Sequence, residues 1–453
     1  MRERRRALPF PAAPTLPRGA VNVTIVAANT FQYDARQLRT AMALAGDGHR
    51  VTLVGFAAEG LPSDETLDGG VVLRRIRLDR TIAAAFRPLP GPVRRLIARL
   101  LGVPPDATVL PPDAPRGLDR LRAPLRRLVE VAAHARRVGP WTAAVVRETP
   151  RADVFHAKAL IALPVIRAAA RRTGGRFVYD IADIHTEAAR LARMPRWFRA
   201  LVRARERRWM ADAAGLTAVS DGVADEVVRR FGVAPPTVVL NCPPAWRPDE
   251  PTPGRQGKLR ALAGIPEGRA LVLYQGGFSV DRGIEQLVAA LAEAPLDGLD
   301  VVGVFVGYGR LREWLDQQAA RSDGRIVVLD AIPPAGLLDH TSDADVGFVG
   351  QPAVTLNQRL NLANKFFEYL QTGVPVVVAE WTAHCRATRE LEVGRCVDVD
   401  RPASIASAIA ELLTAPADER DRLRSHCRHI GRTRFTWEIQ QEGLVALYRR
   451  LAA

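Results

Sequence analysis

The chain has 453 residues, of which 47% are hydrophobic and 25% are charged. This balance is typical of a globular protein and excludes collagenous, disordered and disulfide-rich classes. The length predicts two or three domains, because a single hydrophobic core rarely grows so large. The formal net charge of +15 is unevenly spread, since residues 1–240 hold 40 basic and 22 acidic side chains and the remainder 24 and 27. The first half is therefore expected to meet an anionic partner: a membrane surface, a phosphorylated acceptor or nucleic acid.

The beginning of the chain and the cysteines bear on the cellular compartment. Residues 1–20 are basic and then proline-rich, which predicts a disordered lead-in rather than a signal peptide. Cys242, Cys385, Cys396 and Cys427 show no CxxC pair and no framework spacing, so we predict a reducing cytoplasm and no structural disulfide. No apolar run approaches the ~20 residues that span a bilayer. A cytoplasmic protein, soluble or peripheral on the cytoplasmic membrane face, is expected.

The first ordered elements form a strand–helix–strand unit. The β-branched run Val21–Ala28 predicts a strand, Asp34–Ala45 a helix and Val51–Gly55 a second strand, which is the spacing of a parallel βαβ unit. Further strands, each followed by a helix, are predicted at Val154–Ala157, Phe177–Ile181 and Gly215–Val219. Residues 21–240 are therefore predicted to form a doubly wound α/β domain.

Two arginine-rich regions interrupt this alternation. Residues 80–150 are predicted to be a basic insertion with helical segments at Val93–Leu101 and Leu118–Arg137, and residues 87–137 hold 11 arginines against 4 acidic residues. The segment Arg190–Trp209 carries eight arginines against one glutamate. Either region could be a solvated helix surface or a helix that faces anionic lipid headgroups. Nucleic-acid binding is not predicted, because interleaved stacking aromatics and a reader motif are missing.

The proline-rich residues 241–257 predict an interdomain linker, since no regular element can run through them. A second α/β domain is predicted over residues 258–434. Its predicted strands are Leu271–Gln275, Val301–Val306, Ile326–Leu329, Val346–Val349 and Pro375–Ala379. Ligands of such open sheets bind beyond the carboxyl ends of the strands, so the interdomain cleft is the expected site.

Glycine-rich segments follow two of these strands. Gly276 and Gly277 come after the first strand of the second domain, and Arg282 precedes a predicted helix that begins at Gly283. Glycine allows close approach of the backbone, a helix N-terminus offers free N–H groups and Arg282 adds a cation, which together favour a diphosphate cradle. The triplet Gly307, Tyr308 and Gly309 follows the next strand in the same way.

Another helix is predicted to begin near Asn364. Asn364 is a candidate N-cap, and Glu368 lies four residues further on, where its carboxylate could accept both hydroxyls of a ribose. The pair Asp343 and Asp345 has the spacing of a metal-binding motif, but we interpret it as a helix-to-strand turn.

The segment NKFFEYLQTGVPVV, residues 364–377, resembles the donor motif PNKLFEY-x3-G-x-PVV of family-4 glycosyltransferases with the GT-B fold. GGFSVDRG resembles the phosphate loop of that family, and VTIVAANTFQYDARQL, DVFHAKAL, VYDIADIHTEA and VSDG resemble segments of its first domain. The resemblance implies two Rossmann-like domains facing a cleft, with residues 435–453 forming a helix that crosses back to the first domain. It also implies a cofactor- and metal-independent enzyme of polysaccharide biosynthesis, a hexosyltransferase that uses a nucleotide-diphosphate sugar as co-substrate and retains anomeric configuration.

The resemblance assigns roles to particular residues. Arg282 and Lys365 would stabilise the departing diphosphate, and Glu368 would hold the ribose. The donor-binding residues are expected to be Gly276, Gly277, Arg282, Gly307, Tyr308, Gly309, Asn361, Asn364, Lys365 and Glu368. The acceptor-side residues are expected to be Asn29, Thr30, Phe31, His156, Lys158 and Asp183.

Three positions depart from the family pattern. Gly277 stands where the family has arginine, Leu360 where it has the first of two glutamates and Ala182 where it has histidine. Asn361 or Asn357 could replace the missing sugar contact. His185 is a candidate catalytic replacement, or a loop histidine with a local hydrogen bond.

These observations predict a glycosyltransferase that moves a sugar to a glycan, lipid-linked or small-molecule acceptor, as a monomer or homodimer. Two alternatives stay open: a sugar-nucleotide epimerase or phosphorylase-like enzyme of the same fold, and a catalytically decayed nucleotide-sugar-binding protein.

Overall fold

A computed structural model describes residues 19–32, 34–78, 90–102, 118–188, 191–248 and 255–453. Most of the predicted lead-in, parts of the basic insertion and part of the proline-rich linker lie outside these ranges. The chain folds into two compact units. One holds the described residues up to Tyr179, with Asp212–Gly215 and Val445–Ala453; the other holds Asp180–Ala211 and Leu216–Leu444. The domain division predicted at residues 241–257 stays a prediction.

The strands occur in fourteen segments of the described chain. In chain order, β1 to β14 are Asn22–Val26, Arg50–Phe56, Asp64–Thr66, Val72–Ile76, Val154–Lys158, Arg176–Ile181, Gly215–Ala218, Thr237–Val238, Ala270–Phe278, Val301–Gly309, Ile326–Leu329, Val346–Val349, Val376–Ala379 and Gly394–Val397.

The α-helices of the described chain lie between these strands and after the last one. In chain order, α1 to α16 are Ala35–Gly46, Gly91–Leu101, Leu118–Glu148, Ala159–Thr173, Arg196–Ala211, Asp221–Phe231, Lys258–Ala263, Ile284–Ala290, Arg312–Ala320, Pro334–Thr341, Leu356–Leu360, Asn364–Gln371, Ala383–Leu391, Pro402–Thr414, Ala417–Arg434 and Trp437–Ala452.

The first sheet has the strand order β3-β4-β2-β1-β5-β6-β7-β8. Its central strand β1 is parallel to β2 and β5, with Ile25 opposite Leu53 on one side and His156 on the other. The edge strand β3 is antiparallel to β4. Its residues Asp-Glu-Thr lack apolar alternation, which explains why the sequence did not predict it.

The second sheet has six strands in the order β11-β10-β9-β12-β13-β14, all of them parallel. Alternate residues of β9 enter two separate apolar cores, Leu271 and Leu273 in one and Val272 and Tyr274 in the other. A strand that is buried on both faces reads as a continuous apolar run, as this one does. The two predicted parallel α/β sheets are therefore confirmed.

Helix α3 is longer than the sequence indicated. It was predicted to end at Arg137 but continues through Pro140 to Glu148. Trp141 is 2% exposed and packs on Phe56 of β2, with ring centroids 4.8 Å apart. Burial of this large aromatic ring offsets the weak helix propensity of the residues before it.

The prediction that the chain has no structural disulfide is wrong. Cys385 on α13 and Cys396 on β14 form a disulfide, and their Cα atoms lie 5.4 Å apart. The turn between α13 and β14 folds the chain back on itself, which brings together cysteines whose sequence spacing carried no signal. Cys242 and Cys427 are buried and do not take part in this disulfide. Among the described helices, none combines the length and apolarity needed to cross a bilayer.

Candidate functional site

A cavity of about 410 Å³ lies at the carboxyl edge of the second sheet. Its walls come from the ends of β9 and β10, the segments after β11 and the start of α12. The lining residues are Tyr274, Gln275, Gly276, Gly277, Arg282, Val306, Gly307, Tyr308, Ala331, Ile332, Leu337, Ala363, Asn364, Lys365 and Glu368. The structure thus brings together the predicted donor-binding residues, with Gly309 and Asn361 outside the lining set.

The glycines of the cavity lie inside strands, whereas the sequence placed them in loops after the strands. β9 and β10 stay paired to their ends, with Gly276 opposite Gly307 and Phe278 opposite Gly309. A Cβ on Gly307 would lie 1.9 Å from the carbonyl oxygen of Gly276, so a side chain does not fit there. A Cβ on Gly277 would meet no atom within 4 Å. The paired ends of β9 and β10 therefore leave open space beside Gly277.

Arg282 and Gly283 form the turn that leads into α8. Gly283 has a φ of +74°, and a Cβ on it would lie 2.3 Å from the carbonyl oxygen of Gly350. The segment after β12 therefore approaches the turn too closely for any other residue. Arg282 is exposed, and its Nη1 donates to Oε1 of Gln351 at 3.2 Å. This contact holds a cation at the rim of the cavity.

Helix α12 begins at Asn364, but Asn364 is not its N-cap. Ala363 occupies the N-cap position with no capping side chain. The Oδ1 of Asn364 instead accepts a hydrogen bond from Nδ2 of Asn241 at 2.7 Å. The sequence prediction of an N-cap at Asn364 is therefore wrong, because this side chain is engaged with the segment after β8.

Lys365 lies against an aromatic ring inside the cavity. Its Nζ is 3.5 Å from the centroid of the Tyr274 ring, a cation–π geometry. Desolvation, and to a smaller extent the charge of Arg282, hold the pKa of Lys365 well below its usual value, while Glu368 acts in the opposite direction. The Tyr274 hydroxyl donates to the carbonyl oxygen of Gly277 at 2.9 Å, and burial raises the pKa of Tyr274 to about 12. An anion in this cavity would stabilise the protonated form of Lys365.

Glu368 is oriented by a residue that the sequence analysis missed. Gln275 Nε2 donates to Oε2 of Glu368 at 2.5 Å, and Gln275 Oε1 accepts from the Thr341 hydroxyl at 2.9 Å. Gln275 and Thr341 are both buried. The amide is fixed at both ends, and it fixes one carboxylate oxygen in turn. A polar residue at the end of an otherwise apolar strand was the available signal.

Part of the cavity lining is apolar. Val306, Ala331, Ile332 and Leu337 belong to this part, and Tyr308, which is 65% exposed, also lines the cavity. A flat, weakly polar ring system fits such walls, whereas a phosphate does not. The cavity lining thus includes both cationic and apolar side chains.

His384 was also missed by the sequence analysis. It is 1% exposed, and its Nε2 accepts a hydrogen bond from the backbone N–H of Ala363 at 2.7 Å. Burial, reinforced by Lys365 and Arg282, lowers the pKa of His384 to about 3. The neutral imidazole therefore holds the start of α12, and with it Lys365. Sequence spacing offers no sign that residues 363 and 384 meet.

The low pKa of His384 predicts a pH-dependent stability. Because the unfolded state binds a proton near pH 6.5 and the folded state does not, this contribution is present above that pH and is lost as pH falls. We expect His384→Gln to lose stability relative to the wild type near pH 7.5. The difference in the free energy of unfolding between the two proteins should shrink by up to about 2 kcal/mol near pH 5. Chemical denaturation at both pH values measures it, and a difference that does not change with pH would contradict this role.

Residues near α11 make a second polar cluster in the same compact unit. Asn361 Nδ2 donates to Oδ1 of Asp183 at 2.9 Å, and its buried Oδ1 has no hydrogen-bond partner among the described residues. Asn357 does not fit as a sugar contact, because its amide exchanges two hydrogen bonds with the backbone of Ile184. Leu360, at the position of the missing glutamate, packs against Gly222, where a Cβ would lie 3.2 Å from the leucine Cδ2.

His185 lies in a short 3₁₀ helix, His185–Glu187, and is partly buried. Desolvation lowers its pKa to about 4. The imidazole is therefore neutral at neutral pH and can accept or donate a hydrogen bond without carrying charge.

The predicted acceptor-side residues of the other unit are partly structural. His156 is 1% exposed and its Nδ1 lies 2.8 Å from the Tyr448 hydroxyl, so the structure gives it a packing contact and its acceptor role stays a prediction. Phe31 is also buried, with a φ of +61°. Lys158 Nζ donates to the buried carboxylate of Asp34 at 2.7 Å, and Asn29 Nδ2 donates to the same carboxylate at 2.7 Å.

Thr30 lies between these residues in the loop after β1. Its carbonyl oxygen accepts a hydrogen bond from Arg75 Nε at 3.0 Å. Backbone contacts of this kind fix the course of the loop, but they leave the acceptor roles of Thr30, Asn29 and Lys158 as predictions.

Asp343 and Asp345 stabilise the start of α7. The carboxylate of Asp343 accepts from the backbone N–H groups of Gly257, Leu259 and Arg260 at 2.6, 2.7 and 3.1 Å. Asp345 pairs with Arg260 at 3.1 Å. Acidic side chains at a helix N-terminus satisfy its free N–H groups. Among the described residues, no cluster of three potential metal ligands occurs.

Residues 269–415 match the protein family described as "Glycosyl transferases group 1". The D-inositol 3-phosphate glycosyltransferase of Segniliparus rotundus is 31% identical over 203 residues, which cover 44% of this chain and 43% of that protein. The alpha-D-kanosaminyltransferase of Streptomyces kanamyceticus is 23% identical over 203 residues, 45% of this chain and 51% of that protein. The chain thus spans about half, or less, of the length of the curated relatives that it matches.

Solved structures are similar over nearly the whole chain. A sucrose-phosphate synthase from Thermosynechococcus elongatus has a TM-score of 0.67 at 17% identity, and covers 95% of this chain and 99% of its own. The Anabaena protein HepE in complex with UDP-glucose has a TM-score of 0.59 at 16% identity, covering 94% and 98%. At such identities the likeness establishes the fold. The predicted GT-B fold, with two parallel-sheet α/β domains, is confirmed.

Proposed function

We propose that this chain is a glycosyltransferase and that the cavity at the carboxyl edge of the second sheet binds its nucleotide-diphosphate sugar. The observation that carries the proposal is the combination of side chains that line one cavity. Lys365 and Arg282 supply positive charge, Glu368 supplies a fixed carboxylate, and Ile332 and Leu337 supply apolar walls. A nucleoside diphosphate presents the matching parts: a charged diphosphate, a ribose diol and a planar base.

The chemistry follows from the leaving group. Transfer breaks the bond between the anomeric carbon and the diphosphate oxygen and forms a bond from that carbon to an acceptor hydroxyl oxygen. Negative charge develops on the departing diphosphate oxygen, which can take up the proton of the hydroxyl. Lys365 and Arg282 would stabilise this charge inside a partly desolvated pocket, where electrostatic stabilisation is strongest. Glu368, held by Gln275, would accept hydrogen bonds from the ribose hydroxyls and fix the donor relative to the two cations.

The comparisons support this proposal in two ways. The matched family segment, residues 269–415, contains Arg282, Lys365 and Glu368. HepE, of similar fold, has been solved in complex with UDP-glucose. We extend the proposal to an acceptor that is a glycan, a lipid-linked sugar or a small molecule, and to retention of anomeric configuration.

Isothermal titration with UDP, GDP and their sugars tests the site. We expect the wild type to bind one of these nucleotides, and Arg282→Ala and Glu368→Ala each to weaken that binding about 10- to 100-fold, the loss expected for a charge-assisted hydrogen bond. Arg386→Ala and Glu390→Ala are matched controls, because both side chains are exposed on α13 outside the cavity. Unchanged nucleotide affinity in both site variants would refute the assignment.

A further inference from the structure

Helix α5, Arg196–Ala211, has one face that anchors it and another that nothing described covers. Phe198, Glu206 and Met210 are buried along one side. Trp197 and Leu201, one turn apart on the opposite side, are 65% and 51% exposed. Trp197 packs edge-on against Phe198, with ring centroids 5.7 Å apart, so the exposed ring is held in place. Two large apolar side chains thus form one exposed stripe on a well-anchored helix.

The same exposed face is strongly basic. Five arginines of α5 are exposed: Arg196, Arg203, Arg205, Arg207 and Arg208. The single acidic residue of the helix, Glu206, is 3% exposed and lies on the anchoring side. Arg199 is only partly exposed and pairs with Glu187 at 3.1 Å. The arginines therefore flank the apolar stripe without an acidic residue on the same helix face.

This combination is what an anionic bilayer surface recognises. Arginines near such a surface are attracted by its negative potential, and a tryptophan ring is favoured at headgroup level. Exposure of the Trp197 and Leu201 side chains to water costs free energy, and solubility alone does not require them on this helix face. The phosphates of a nucleic acid would pair with the arginines but would leave the apolar Leu201 side chain without a contact.

We infer that α5 docks on an anionic phospholipid surface, with Trp197 and Leu201 in the headgroup region and the flanking arginines on lipid phosphates. The inference is independent of the donor cavity, because it uses other residues and predicts binding rather than turnover.

Quenching by brominated lipid tests the apolar contact. With the full chain and vesicles of phosphatidylglycerol and brominated phosphatidylcholine, we expect quenching of tryptophan fluorescence in the wild type and in Trp381→Phe, and loss of most of it in Trp197→Phe. Trp381 is the matched control, because at 83% exposure it is even more accessible than Trp197. Quenching that is lost in Trp381→Phe and kept in Trp197→Phe would overturn the inference.

Vesicle co-sedimentation tests the charge contact. We expect Arg203→Gln, Arg207→Gln and Arg208→Gln together to lower partitioning onto phosphatidylglycerol vesicles at least about tenfold. The control set Arg321→Gln, Arg386→Gln and Arg432→Gln, whose side chains are also exposed, should leave it unchanged. Partitioning should weaken with added salt and be absent on pure phosphatidylcholine.

Three further outcomes would overturn the inference. One is full vesicle binding by the α5 triple variant. Another is loss of binding in Leu96→Ser with Leu100→Ser, which alter the exposed apolar side chains of α2, while Trp197→Ser with Leu201→Ser still binds. The third is binding to an oligonucleotide, lost in the α5 variant, by a protein that does not bind vesicles.

Discussion

Replacing Lys365 with methionine should lower kcat/KM for sugar transfer by about 100- to 1,000-fold, the usual effect of removing one group that stabilises transition-state charge. Methionine has nearly the same length and can keep contact with the Tyr274 ring, so the cavity wall is preserved. The variant should unfold at no lower temperature than the wild type. Removing an amine that is held in a desolvated place relieves a cost in the folded state. The activity loss would then be chemical and not structural.

The measurement is release of nucleoside diphosphate from the donor that the wild type turns over, with thermal unfolding in parallel. Lys258→Met is the control, because Lys258 pairs with Asp339 at 2.6 Å and lies outside the cavity lining. The wild type should also lose donor affinity as pH rises through the lowered pKa of Lys365, since the amine is then neutral, and Lys365→Met should lack this loss. A variant as active as Lys258→Met would contradict the role of Lys365.

Gly283→Ala should destabilise the second sheet's unit by about 3 kcal/mol. The new Cβ would lie 2.3 Å from the carbonyl oxygen of Gly350, and the φ of +74° is unfavourable for alanine. Because the turn also carries Arg282, nucleotide affinity should fall together with stability.

Gly277→Ala is the matched comparison for stability. It adds the same methyl group at a glycine of the cavity wall, where no atom lies within 4 Å. Its effect should be at most about 1 kcal/mol in either direction. Differential scanning calorimetry measures the unfolding temperature of both variants. An equal decrease in the two variants would contradict the close approach of Gly350 to the turn.

The sequence predicted which residues come together in the cavity of the second sheet better than it predicted their surroundings. Gly276, Arg282, Lys365 and Glu368 follow strand and helix patterns that fix where each chain segment meets the sheet edge, so their common location could be predicted. Gln275 and His384 could not, because their roles depend on contacts with Glu368 and Ala363 across 93 and 21 positions of sequence.

The features that the sequence did not predict have similar physical causes. His156 and Phe31 belong to segments that end a strand at the sheet edge, but tertiary packing buries both side chains. Strand β3 forms through its pairing with β4, since Asp64–Thr66 has no apolar pattern of its own. Local sequence predicts which segments form elements, whereas burial depends on what those elements pack against.

Amine labelling at neutral pH tests the central claim that nucleotide diphosphate lies against Lys365. The chain has three lysines, Lys158, Lys258 and Lys365. The lowered pKa of Lys365 favours the neutral amine, which is the form that an acylating reagent attacks, while Lys158 and Lys258 are held by carboxylates and serve as internal references. Mass spectrometry should show that the nucleotide sugar that binds in titration protects Lys365 strongly and leaves the other two unchanged. Equal labelling of Lys365 with and without that saturating ligand would contradict the account.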